Sequence, residues 1–302
     1  MDRLRTMAAF VAVAEEAGFA PAARRLNMSP PSMTRAISTL EERLGARLFH
    51  RTTRSVRMTE AGQRYLIDCR RILSEIEEAE SGAAGLHTIP RGMVTVTASV
   101  LFGRNVLTPL MLEFLDRTPG VSITTLFVDR VVHLVDEGID VAIRIAELPD
   151  STLLAARVGS VRRVLCASPV YLNRQGRPGT PEDLSGHDLI NFVNQSHGGE
   201  WHFFGDGKPQ AFKPQSRLHV NNADVAIAAA TAGRGITRVL SYMIATQLES
   251  GELEIVLEPL TPPAVPVHVV HKEPGLTAAR VRAVVDFLVE RLRQEPSLNY
   301  QA

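Results

Sequence analysis

Met28-Ser29-Pro30-Pro31-Ser32-Met33-Thr34-Arg35-Ala36-Ile37-Ser38-Thr39-Leu40-Glu41-Glu42-Arg43-Leu44-Gly45 is the stretch on which the reading of this chain turns. Apolar residues recur at 33, 37, 40 and 44, spacings of four, three and four that mark one face of an amphipathic helix. The other face carries Ser32, Thr34, Arg35, Ser38, Thr39 and Arg43. A helix lying in a major groove uses short hydrogen-bonding groups and guanidiniums of this kind; a buried helix does not. Ser29 is placed to cap the helix, and prolines are tolerated in a first turn because the N–H they lack is unpaired there. Pro31 disfavours helical geometry at Pro30, which would move the start by one residue. Gly45 is placed to stop the helix.

On the amino-terminal side, Leu4, Met7, Phe10, Val11 and Ala14 give a first helix over 2–16 one buried stripe. Gly18 breaks it, a short helix is predicted from Pro21 to Leu26, and Asn27-Met28-Ser29 makes a tight turn. Helix, short helix, turn, helix is the helix-turn-helix order. On the carboxyl side, Leu48 and Phe49 anchor a basic hairpin wing in which Arg51, Thr52, Thr53 and Arg54 suit phosphates or an adjacent minor groove.

Thr59 caps, and Glu60 favours, the start of a long helix. Tyr65, Cys69, Ile72, Ile76, Ala79, Ala83 and Leu86 follow one another at spacings alternating four and three, a heptad stripe. Two readings compete: a seam pairing two copies of the chain, or a helix lying on its own domain. Pairing is favoured, because a lone connector would expose the stripe. Gly82, Gly85 and Pro90 mark a boundary.

The 302 residues are enough for two domains. The net charge is zero, but 24–57 hold eight arginines against Glu41 and Glu42, a local +6 balanced by −6 elsewhere. Such an asymmetry points to a polyanionic partner for that module alone. The sequence contains no apolar run of membrane-spanning length and no signal-peptide core, and Cys69 and Cys166 are too few for a disulfide framework. A reducing cytoplasm is the expected setting.

Beyond Arg91, strands at 93–98, 121–128 and 139–145 alternate with helices at 104–117 and 130–137. A second set follows: strands at 163–167, 189–193, 201–204, 216–220, 236–239 and 253–257, with helices at 223–232 and 241–248. A strand at 267–271 and a helix over 277–293 return to the first set. This predicts an α/β, mostly parallel, doubly wound domain of two lobes with a cleft between them. Candidate cleft residues are Ser99 and Val100 at the end of the first strand, Arg144, Thr237 and Arg238. Trp201, the single tryptophan, is a candidate pocket wall or plain core. An arginine facing the cleft would favour a carboxylate-bearing ligand.

Phe10-Val11-Ala12-Val13-Ala14-Glu15, Ala22-Ala23-Arg24-Arg25-Leu26, Ser29 through Ile37, Leu40 through Gly45, Leu48 through Arg54 and Thr59-Glu60-Ala61-Gly62 together resemble the winged helix-turn-helix of the LysR-type transcriptional regulators. Asp140 through Arg144 and Cys166 through Leu172 resemble that family's effector domain. The resemblance implies a bacterial regulator with three parts. These are a DNA-binding domain at 1–59, a linker and dimerisation helix at 60–90, and a two-lobed effector domain at 91–302. The effector domain is similar to type 2 periplasmic binding proteins, with lobe I at about 91–162 and 266–302 and lobe II at about 163–265. It further implies double-stranded promoter DNA as partner, a small-molecule effector between the lobes, and self-association as dimer or tetramer. Ser29, Ser32, Thr34, Arg35 and Ser38 would meet bases or nearby phosphates. Two departures stand out: Pro30 occupies a position usually polar, and Gly18-Phe19-Ala20-Pro21 is one residue short of the common form and lacks its serine cap.

Other functions have weaker support. No nucleophile elbow or phosphate loop appears, and Gly233-Arg234-Gly235 lacks the third glycine of a dinucleotide loop. His197, Glu200 and His202 lack helical metal-ligand spacing, so no metal and no cofactor is expected. A thiol redox sensor would need a resolving partner near Cys69 or Cys166. A ligand-binding module without DNA would leave the basic helix and wing unexplained.

Overall fold

The computed structural model describes residues 2–51, 56–83, 90–149, 152–193, 200–205, 208–272 and 279–299. The chain divides into two compact units, Met1–Ile89 and Pro90–Ala302.

In the first unit α1 (Arg3–Glu15) is contacted by three other helices and is buried on more than the single expected stripe, with Thr6, Ala9, Ala12 and Val13 joining Met7 and Phe10. The second helix, α2 (Phe19–Arg25), starts two residues before Pro21, so the missing proline N–H still falls in the unpaired first turn. The left-handed Asn27 turns the chain into α3 (Pro30–Leu44). Both prolines sit in its first turn, Ser29 Oγ accepts from Ser32 N at 3.3 Å, and the left-handed Gly45 closes the far end. Strands β1 (Phe49–Arg51) and β2 (Val56–Met58) pair antiparallel as the wing's stem. Thr52, Thr53 and Arg54 lie outside the described residues.

Glu41 departs from the expected pattern. It lies on the buried side of α3, 5% exposed, and its Oε1 accepts from Leu48 N at 2.8 Å and Phe49 N at 3.2 Å. The carboxylate thereby ties α3 to the wing. Helix α4 (Glu60–Ala83) starts under Thr59, whose Oγ1 accepts from Gly62 N at 3.0 Å. At Gly62 a Cβ would stand 2.2 Å from the Leu48 carbonyl oxygen, so only glycine allows α4 to approach the wing this closely.

The stripe on α4 corrects part of the expected pairing seam. Cys69 has no exposed surface and belongs, with Leu66, to the unit's own core; Tyr65, Ile72 and Leu73 pack against it. The Tyr65 ring lies 5.5 Å from that of Phe10. A thiol sealed inside its own subunit cannot face a second one, so over this turn the intramolecular reading holds. The side chains of Ala79 and Ala83, and Leu86 altogether, lie outside the described residues.

In the second unit, lobe I is built from β3 (Gly92–Ala98), α5 (Val100–Phe102), a π-helical turn (Gly103–Leu107), α6 (Thr108–Arg117), β4 (Val121–Phe127), β5 (Val141–Ile145) and β6 (Leu154–Val161). The π turn precedes Pro109, which has no N–H for an ordinary helical bond. Lobe II holds β7 (Arg163–Ala167), α7 (Pro169–Gln175), β8 (Leu189–Phe192), the hairpin β9 (Trp201–Gly205) and β10 (Lys208–Phe212), β11 (Leu218–Val220), α8 (Ala223–Thr231), β12 (Ile236–Leu240), α9 (Ala245–Glu249) and β13 (Glu254–Val256). Then β14 (Val265–His271) and α10 (Ala279–Arg293) return to lobe I. The sheet orders are β4-β3-β5-β14-β6 and β11-β8-β12-β7-β13.

Each sheet is half parallel rather than mostly parallel. In lobe I β3 runs parallel to β4 and β5, whereas the returning β14 is antiparallel to β5 and β6. The helix expected over 130–137 is absent. Val132 and Leu134 are buried between exposed Val131, His133 and Val135, an alternation of two that no helix satisfies. Arg130 closes this segment with two bonds to the Glu137 carboxylate, at 2.8 and 2.6 Å. One apolar cluster runs through both lobes, from Val94 and Phe102 to Cys166, Ala226 and Val239. Across the lobes Arg104 meets Asp224 at 2.8 and 3.1 Å, and Ser99 Oγ lies 3.3 Å from the Tyr242 hydroxyl. No described helix is long and apolar enough to cross a membrane.

Burial pushes the Cys69 thiol up to about 11 and the Cys166 thiol up to about 12. Neither carries appreciable thiolate near neutral pH. At pH 8 the native protein is therefore expected to resist a disulfide reagent that titrates both thiols once it is unfolded; rapid reaction of the native form would contradict this. Glu41→Ala is expected to lower stability by about 1.5–3 kcal/mol, because two buried N–H groups lose a charged acceptor. Glu41→Gln, which keeps one amide oxygen, should recover part of that loss in urea unfolding of the full chain.

Candidate functional site

Two surfaces carry the chemistry, one on each unit. On the first, Met33, Ala36, Ile37 and Leu40 have no exposed surface. The opposite face of α3 is left to solvent: Ser29, Thr34, Arg35 and Thr39 are exposed, and Ser32 and Ser38 half-buried. The hydroxyls already serve the helix, since Ser29 and Ser32 share a 2.8 Å bond and Thr34 Oγ1 donates to the Pro30 carbonyl at 3.1 Å. Each keeps lone pairs for a further donor. The nearby arginines are not equivalent. Arg25 pairs with Glu15 at 2.7 Å and Arg47 with Glu41 at 3.5 Å. Arg43 reaches Thr6. Arg35 makes no ion pair among the described residues and stands outward. Of the wing candidates, Arg51 has a described backbone only, in β1.

The second surface is a cleft of about 480 Å³ between the lobes. Lobe I contributes Ser99, Asp129, Arg144 and Glu147; lobe II contributes Arg163, Phe192, Arg238 and Met243. Of the sequence candidates, the structure brings together Ser99, Arg144 and Arg238. Val100 is not in the wall: its N–H donates to Asp129 Oδ1 at 3.0 Å, so a carboxylate of the chain already occupies the start of α5. Thr237 is fully buried and donates to the Ile190 carbonyl at 3.0 Å. Trp201 is 1% exposed, in the apolar cluster of lobe II, and touches the cleft only through the Arg238 guanidinium, 5.9 Å from its ring centre.

The arginines differ in how they are satisfied. Arg144 donates to the Val132 carbonyl. Arg238 Nη2 donates to the Glu200 carbonyl at 2.7 Å, but its Nη1 is buried with no hydrogen-bond partner among the described residues. On antiparallel β7 and β12, Arg238 lies opposite Leu165 and Leu240 opposite Arg163, so both guanidiniums leave the same face. Burial, and after it the charge of Arg163, pull Arg238 down to about 10. Burial alone lowers Arg163, and burial against a weaker pull from Glu137 lowers Arg144. All three remain cationic at neutral pH. Sequence reasoning missed Arg163. Its signal was the strand's alternation, which turns it away from the core-facing Val164 and Cys166.

Among the described residues no three His, Cys, Asp or Glu side chains lie together as a metal site. His197 lies outside the described residues.

Comparison with known proteins agrees with this geometry. Residues 4–63 match the family model of bacterial regulatory helix-turn-helix proteins, lysR family, and residues 87–293 match the LysR substrate binding domain. The HTH-type transcriptional activator AaeR of Escherichia coli (strain K12) is 32% identical over 290 residues, covering 96% of this chain and 94% of that protein. An HTH-type transcriptional regulator of Xanthomonas campestris is 36% identical over 287 residues, covering 94% and 83%. Among solved structures, CrgA, a LysR-type transcriptional regulator from Neisseria meningitidis, has a TM-score of 0.62 at 28% identity, covering 97% of this chain and 99% of that one. The full-length Vibrio cholerae virulence activator AphB, 24% identical with a TM-score of 0.62 over 96% and 99%, shares the fold. The matched families and relatives are regulators of transcription rather than enzymes. With an outward polar recognition helix on one unit and a two-lobed ligand cleft on the other, the chain belongs to the LysR family of bacterial transcriptional regulators, which bind promoter DNA under the control of a small-molecule effector.

Proposed function

We propose that this regulator answers to a carboxylate-bearing effector held between its lobes and anchored on Arg238. The observation that carries this reading is the buried Arg238 Nη1, a cationic donor at the wall of the cleft with no partner among the described residues. An unpaired buried donor is costly, and beside Arg163 the cost includes repulsion between like charges. A carboxylate relieves both, since the guanidinium fork matches its two oxygens. Ser99 and Arg144 would meet the same ligand from lobe I, so that one small anion links the two lobes. Trp201, stacked behind Arg238, would report its arrival.

On the DNA side, Ser29, Ser32, Thr34, Arg35 and Ser38 would face the major groove, with Arg51, Thr52, Thr53 and Arg54 of the wing on the backbone. A second copy of the chain would supply the other half-site, as family resemblance implies. Residues 60–90 would act as the linker, and its pairing contacts would lie beyond Ile72, where the stripe leaves the unit's own core. The setting of these events is the cytoplasm, where the promoter is.

A carboxylate library screened by thermal unfolding tests the effector. At a hundredfold excess over its dissociation constant a cognate acid stabilises by about 2.7 kcal/mol, which for a domain of this size raises Tm by about 5–11 °C. Arg238→Ala should abolish the shift and the accompanying Trp201 fluorescence change; a shift that survives this substitution would refute the anchor. On the DNA side, Arg35→Ala should weaken promoter binding at least tenfold. A lost phosphate contact would reduce the salt slope by about 0.9, while a lost guanine contact would leave the slope and relax specificity at one base pair. Unchanged affinity would remove Arg35 from the interface.

A further inference from the structure

Lobe II holds a second unmet polar group beside the first. Asn191 on β8 is 5% exposed, and its Oδ1 is buried with no hydrogen-bond partner among the described residues. An acceptor taken out of water and left without a donor is costly, as is the Arg238 donor left without an acceptor. The neighbouring strand on one side does not serve it. On β11 His219 lies opposite Asn191, but the His219 ring reaches the Ser216 hydroxyl, at 3.4 Å. The neighbouring strand on the other side is β12, which carries Arg238.

Strand register brings the two demands together. On parallel β8 and β12, Leu189 pairs with Ile236 and Ile190 with Thr237. Asn191 and Arg238 are the next residues of the two strands. Leu189 and Ile236 both join the Trp201 cluster, so Asn191 and Arg238, two residues further on, leave by that same face. Neighbouring strands run about 4.8 Å apart. A direct bond from Arg238 Nη1 to Asn191 Oδ1 would meet both needs, and it is not made. What satisfies the pair is a ligand that accepts at Arg238 and donates at Asn191. A carboxylate alone meets only the first need, because it has no hydrogen to give. An ammonium can donate, but Arg163 and Arg238 on the same face repel it. A hydroxyl donates without charge. Phe192, directly after Asn191, lines the cleft with Ile143, Leu240 and Met243, an apolar surround for the rest of the molecule.

We propose that Asn191 sets the class of effector: a 2-hydroxycarboxylate with an apolar body, whose carboxylate meets Arg238 while its hydroxyl donates to Asn191 Oδ1. The hydroxyl belongs on the carbon next to the carboxylate because the two side chains stand on adjacent strands. This rests on the Arg238 anchor proposed above, and it adds the residue that tells a hydroxy acid from its deoxy counterpart.

Mandelate and phenylacetate, which differ only in that hydroxyl, are the probes, titrated calorimetrically into the full-length protein. Mandelate is expected to bind at least tenfold more tightly, since a site built around a ligand hydroxyl rejects the analogue that lacks it. Phenylglycine, with an ammonium in place of the hydroxyl, should bind at least tenfold more weakly than mandelate. Asn191→Leu, of similar volume without the acceptor, should weaken mandelate at least tenfold and leave phenylacetate within twofold, while Asn191→Ser, which keeps an acceptor, should retain part of the preference. The proposal is overturned if the wild-type protein binds no mandelate, binds phenylacetate or phenylglycine as tightly, or keeps its preference in folded Asn191→Leu protein. The anchor fails separately, as binding of either acid that persists in Arg238→Ala protein. Equal binding of mandelate and phenylacetate that Arg238→Ala removes would leave the anchor standing and strike out Asn191 alone.

Discussion

The recognition helix can turn its hydroxyls and Arg35 to solvent only because its other face is fully used. Met33, Ala36, Ile37 and Leu40 are sealed against α1, α2 and the base of α4. Burying a large apolar side chain contributes about 1.5–3 kcal/mol, so rotating α3 to hide its polar face would forfeit several such terms and leave the hydroxyls and Arg35 poorly satisfied. The same helix carries the acidic group that fixes the wing. Glu41 gives up exposure to hold the N–H groups of Leu48 and Phe49, and Thr59 and Gly62 bring α4 against the same turn. Helix, wing and linker are thereby positioned from one place.

The ligand cleft rests on a different balance. A continuous apolar cluster joins the lobes, and Arg104 with Asp224 and Ser99 with Tyr242 bridge them. Neither polar bridge involves Arg238. Sheet register sends Arg163 and Arg238 out of one face, burial removes their water, and Arg238 is left with a donor unsatisfied among the described residues. The fold is held by apolar contact and opposite charge elsewhere, which leaves one Arg238 donor at the cleft without a partner among the described residues. An unfilled polar demand inside an otherwise satisfied fold is the usual mark of a site awaiting its ligand.

The parts that were legible in the sequence are those governed by local rules. The spacing of 33, 37 and 40, the Ser29 cap and the Gly45 stop gave α3 with its correct outward face, because a helix fixes which residues share a side within two turns. Where a residue's surroundings come from distant chain, local spacing failed. Glu41 looked like surface charge until the wing folded back on it, and the α4 stripe looked free until Phe10 and Phe49 filled in beneath Tyr65 and Cys69. The segment 130–137 looked helical, yet its alternating burial follows from setting Val132 and Leu134 against Ala142 and Val270 of the sheet.

The sequence by itself determined the winged helix-turn-helix, the two-lobed α/β plan and the family, since these follow from periodicity, capping and recurrent motifs. Tertiary structure alone decided that Arg163 joins Arg238 at the cleft and that Thr237 and Trp201 stand behind its wall. The physical reason is that a strand shows only which residues alternate. Which of its two faces meets core or cleft is settled by the strands beside it, and those arrive from tens of residues away or more.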